Sequence, residues 1–139
     1  MNIELLRAVK RIILERPSQF NMDWWFSSAD STGMPAGGCG TAACIGGWAY
    51  VLTKRPKSKS LKGLLDASIY SSIYRNNTVM NNGDFKLLLG LTLEQSERLF
   101  AETEWPKRFR SRCVPGDARK NAKLAADRIE HFIKTKGRE

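Results

Sequence analysis

Thr41-Ala42-Ala43-Cys44-Ile45-Gly46-Gly47-Trp48-Ala49-Tyr50-Val51-Leu52-Thr53 carries no charged side chain. Ala42, Ala43, Cys44, Ile45, Trp48, Ala49, Val51 and Leu52 leave it almost no polar face, and a helix that is apolar all round belongs in the middle of a domain. Gly46 and Gly47 lower helix propensity by roughly 1 kcal/mol each relative to Ala. That cost makes sense where another helix or an aromatic ring approaches the backbone. The crowded stretch Phe20-Asn21-Met22-Asp23-Trp24-Trp25-Phe26, expected as an irregular or short helical plug in the core, is the candidate neighbour.

Outward from this centre the pattern stays helical. Ile3, Leu5, Leu6, Val9, Ile12 and Ile13 recur at three- and four-residue steps between Glu4, Arg7, Lys10, Arg11 and Glu15, giving an amphipathic helix that Pro17 ends. A Ser-, Gly- and Pro-rich loop follows from Ser27 to Gly40. Beyond the central helix, Lys54 to Lys62 reads as a solvated connector, and Leu61, Leu64, Leu65, Ile69, Tyr70, Ile73 and Tyr74 fit a further helical stripe. A short apolar turn from Phe85 to Leu89 stops at Gly90, and Thr92-Leu93-Glu94-Gln95 has the form of a capping box opening a helix through Phe100. Trp105-Pro106 breaks the pattern, and the segment to Pro115 is expected to be irregular. A last helix runs from Asp117, a candidate N-cap, to about Thr135, with Ala118, Ala122, Ala125, Ala126, Ile129, Phe132 and Ile133 on its apolar side and Gly137 as its stop. No run of β-branched residues alternates with period two. The expected fold is all-α, an orthogonal bundle of about five or six helices forming one domain over residues 1–139.

Composition agrees with an ordinary folded chain: 42% of the 139 residues are hydrophobic and 27% charged, which argues against global disorder and a disulfide scaffold. Met1-Asn2-Ile3-Glu4 lacks a basic leader, and no apolar stretch reaches membrane-spanning length, so a cytoplasmic chain is expected. The imbalance is in the charge, with 23 Lys and Arg against 14 Asp and Glu for a net +9. Two segments account for all of it. Lys54, Arg55, Lys57, Lys59 and Lys62 have no acidic residue among them. Lys107, Arg108, Arg110, Arg112, Arg119, Lys120 and Lys123 face only Asp117. The rest of the chain, 11 basic and 13 acidic residues, is mildly acidic. Arginine suits bidentate phosphate contact, and the second run leads into the start of the last helix, where free N–H groups favour an anion. These twelve residues are the candidate anion-binding set, and the expected partner is nucleic acid, a nucleotide or an acidic protein surface. Trp105, Phe109, Tyr70 and Tyr74 border the runs and raise the question of base stacking, although a core role explains each of them as well.

Three cysteines (Cys39, Cys44, Cys113) and one histidine (His131) bound the remaining chemistry. An odd number of thiols is no disulfide framework. A Cys3His zinc site would use every one of these residues but lacks paired short spacings. A Cys–His–Asp arrangement of Cys39 or Cys44 with His131 and Asp127 would suit a thiol-dependent enzyme, whereas the plainer reading makes Asp127 and His131 an exposed pair one helical turn apart. No metal, cofactor or catalytic motif is otherwise present. Cys39-Gly40-Thr41-Ala42-Ala43-Cys44-Ile45-Gly46-Gly47-Trp48-Ala49, with Leu89-Gly90-Leu91-Thr92 and Arg128-Ile129-Glu130-His131-Phe132-Ile133, resembles a recurrent group of small, uncharacterised bacterial proteins, a likeness over about a fifth of the chain that implies no activity. The sequence therefore favours a small basic binding protein without catalytic function. An inhibitor or adaptor acting on a host nucleic-acid enzyme or nucleotide signal is the alternative, and the thiol-dependent enzyme a third.

Overall fold

The computed structural model describes residues 1–22, 26–28, 41–54, 82–110, 112 and 117–138. The expected helix around residues 61–74, the loop between 29 and 40 and most of the first basic run lie outside them. Within the described residues the chain is an all-α bundle of six helices.

Helix α1 (Ile3–Glu15) starts where Asn2 Oδ1 accepts the Leu5 N–H at 3.0 Å, and it buries Leu6, Val9 and Ile13, the stripe its spacing predicts. It stops at Arg16, since Pro17 lacks an N–H to continue the ladder and instead begins a single 3-10 turn (Pro17–Gln19). Phe20 then turns inward and bridges Ala43.

The central helix is real but shorter than its apolar run. Thr41–Ala43 (β2) pairs antiparallel with Phe26–Ser28 (β1), in the register Phe26 to Ala43 and Ser28 to Thr41, and only then does α2 (Ile45–Lys54) begin. The expected plug and loop thus contribute a strand at Phe26–Ser28. Backbone pairing over three residues leaves no mark on hydrophobic periodicity, which explains why the sequence does not show it. The apolar surface of α2 is buried as expected: Ile45, Trp48, Ala49 and Val51 all lie in the core. The indole N–H of Trp48 reaches the Gln19 carbonyl at 3.3 Å, joining α2 to the 3-10 turn.

Helix α3 (Asn82–Leu89) ends at Gly90, whose φ of +59° suits a residue without a Cβ. Helix α4 (Leu93–Phe100) opens with the predicted capping box, in which Thr92 Oγ1 accepts the Gln95 N–H at 3.1 Å while Gln95 Oε1 accepts the Thr92 N–H at 3.0 Å. Residues Lys107–Arg110, expected to be irregular, form one helical turn, α5. The long α6 (Ala118–Lys134) packs along α1, and Lys10 Nζ bonds Glu130 Oε2 across that contact at 2.8 Å. Its buried side includes Ala122, Ala125, Ala126, Ile129 and Phe132. No helix among the described residues is long and apolar enough to cross a membrane.

Candidate anion-binding surface

Tertiary structure divides the second basic run in two. Pro106 opens α5: its carbonyl accepts the amides of Phe109 at 2.8 Å and Arg110 at 3.4 Å. Phe109, the only apolar side chain of the turn, is buried, so Lys107, Arg108 and Arg110 point to solvent around it, and Arg112 is exposed just beyond. Arg110 Nη1 also donates to the Thr103 carbonyl at 2.9 Å. Arg108 Nη2 lies 2.7 Å from both ring nitrogens of His131, and its guanidinium is 5.0 Å above the centre of the Phe109 ring. Since a guanidinium only donates, the imidazole serves as the acceptor in this contact. His131 also packs on Phe109, with ring centres 5.6 Å apart. Helix α5 therefore lies beside the C-terminal half of α6.

Arg119, Lys120 and Lys123 sit at the other end. Eight residues of helix separate Lys123 from His131, about 12 Å along the axis. The anion position expected at the start of α6 is occupied by the chain itself. Asp117 Oδ1 accepts the Lys120 N–H at 3.0 Å and Oδ2 pairs with Lys120 Nζ at 3.1 Å, hydrogen bonds that hold the Asp117 carboxyl below its usual range. One turn further on, Lys123 Nζ bonds Asp127 Oδ1 at 2.5 Å. Two of the seven predicted cations thus have acidic partners. Among the described residues Lys107, Arg108, Arg110, Arg112 and Arg119 form no ion pair, and four of these five belong to α5 and its edge. Lys54 is the last residue of α2, and Arg55, Lys57, Lys59 and Lys62 lie outside the described residues.

The aromatic neighbours are turned inward. Trp105 is 2% exposed and donates its indole N–H to the Leu99 carbonyl at 3.0 Å; Phe109 is 6% exposed. Neither ring offers a face for stacking with a base, and Tyr70 and Tyr74 lie outside the described residues.

Sequence reasoning missed Arg128. It falls inside the apolar side of α6, three residues after Ala125 and four before Phe132, a spacing that was legible in the sequence. It is wholly buried: its guanidinium lies 5.9 Å from the Trp105 ring centre, 5.8 Å from Phe109 and 5.4 Å from Phe132, while Nη2 donates to the Arg98 carbonyl at 2.7 Å.

Cys44 is a free, buried cysteine. Burial pushes its thiol up to about 11, against weaker lowering by the neighbouring backbone amides, so it stays protonated at neutral pH. Cys39 and Cys113 lie outside the described residues. Among those described, no three His, Cys, Asp or Glu side chains converge to hold a metal ion. The chain matches no protein-family model, no curated protein and no solved structure.

Proposed function

We propose that the protein is a small cytoplasmic binding protein for the phosphate backbone of nucleic acid, and that α5 with Arg112 is the centre of its contact surface. The supporting observation is the density of cations there: Lys107, Arg108, Arg110 and Arg112 are exposed within six residues and carry no acidic partner among the described residues. Three of the four are arginines, which match a phosphate with two parallel donors. With Trp105 and Phe109 turned inward, this surface contacts backbone rather than bases, so binding is tolerant of sequence.

Titrating a labelled DNA duplex and a single strand against KCl tests this reading. Affinity falls steeply with salt, with a log–log slope of about −0.7 to −0.9 for every phosphate neutralised. Reversing Arg108, Arg110 and Arg112 to Glu abolishes binding and leaves the helical circular-dichroism signal intact, because all three side chains are exposed. Binding that survives the reversal identifies another surface. Failure to bind either probe at low salt, with stoichiometric capture of an acidic protein instead, replaces nucleic acid by a protein partner.

A further inference from the structure

A one-turn helix has little stability of its own, because forming the first turn fixes several residues for a single hydrogen bond. The position of α5 therefore depends on what anchors it, and two of the anchoring rings, Trp105 and Phe109, lie against the guanidinium of Arg128. The same guanidinium lies against Phe132 of α6 and donates to the Arg98 carbonyl in the last turn of α4. One planar cation thus touches all three elements that meet beneath the basic surface. Stacking and donation at once need a flat, forked group, which an ammonium does not provide.

We propose that Arg128 is the positioning residue of the anion-binding surface, holding the Lys107–Arg110 turn against α6 so that polyanion affinity depends on a side chain no ligand touches. The proposal rests on the reading of α5 as the binding surface. It separates the role of the guanidinium's shape from that of its charge: Arg128→Lys keeps the charge and loses the fork, whereas Arg128→Met keeps most of the bulk and loses both.

The test measures duplex affinity at low salt, together with hydrogen exchange of the Phe109 and Arg110 amides, in the wild type and both variants, with α1 amides as reference. Both variants bind the duplex about tenfold more weakly, a loss in keeping with a misplaced contact group. The two α5 amides exchange faster in both, while those of Leu6 and Val9 do not change. Wild-type affinity in Arg128→Lys overturns the proposal, since charge would then suffice. Unchanged α5 exchange in both variants overturns it, and so does equal acceleration in α1 and α5, which would make Arg128 a general core residue. If the wild type binds no duplex, the function proposed above fails, and the exchange comparison decides separately whether Arg128 tethers α5.

Discussion

Gly137 has a φ of +69°, and a Cβ built on it would lie 2.9 Å from both Phe132 Cζ and Gln95 Cγ. The backbone conformation and the lack of space act together, so Gly137→Ala costs about 1–3 kcal/mol, measurable by urea unfolding. Cys44 gives a prediction of a different kind. Burial pushes its folded thiol up to about 11, above the 9.0 of a free thiol, so the folded state keeps a proton that the unfolded state releases first. Its contribution to stability is complete below pH 9 and declines as pH rises from about 9 to about 11. Thermal unfolding of the wild type and Cys44→Ala across that range checks the sign, because the gap between the two must narrow with rising pH. Both residues were partly legible in the sequence: Gly137 as a helix stop, Cys44 as a small apolar residue. The clash with Gln95, 42 positions away in the chain, was not, because no local pattern encodes it.

Among the elements, caps were read most accurately, since a cap satisfies backbone N–H groups within three or four residues of the side chain that makes it. Thr92 and Asp117 cap their helices as their spacing predicts. Thr92→Ala removes one half of the capping box and costs about 1 kcal/mol by thermal unfolding. Asp117 adds an acid limb. Its folded pKa lies below the value of about 3.9 usual for an unfolded Asp, so the stability it contributes is present above that value and is lost as pH falls through the folded one. Asp117→Asn, which still caps, flattens this dependence between neutral and acid pH. What the elements concealed was where regular structure yields to pairing. Thr41–Ala43 continues the apolar run into α2 without a break in composition, yet it forms a strand, because its partner Phe26–Ser28 supplies the hydrogen bonds. The turn at Lys107–Arg110 was likewise hidden, as Phe109 is a single apolar residue and becomes an anchor only against Arg128 and His131.

At the scale of the whole molecule, Lys10–Glu130 joins the first helix to the last. The Lys10 ammonium, helped by Lys134 and Arg7, holds the Glu130 carboxyl below its usual range. This pair belongs to the acid limb with Asp117: its contribution is present above about pH 4 and lost below. The groups are half-exposed, so Lys10→Met changes stability by less than about 1 kcal/mol at neutral pH in moderate salt. The sequence by itself determined the helical class, the limits of the first and last helices, the caps at Thr92 and Asp117 and the segregation of charge, because each follows from side chains a few residues apart. Only the tertiary structure decided where the cations of α5 sit. Asp117 and Asp127 claim Lys120 and Lys123 within one helix, a spacing the sequence carries, whereas α5 is set beside His131 with a buried arginine beneath it only by folding. Burial and the docking of α5 on α6 depend on distances between groups that the chain brings together only by folding, so charge counted along the sequence gives the amount of a basic surface but not its place.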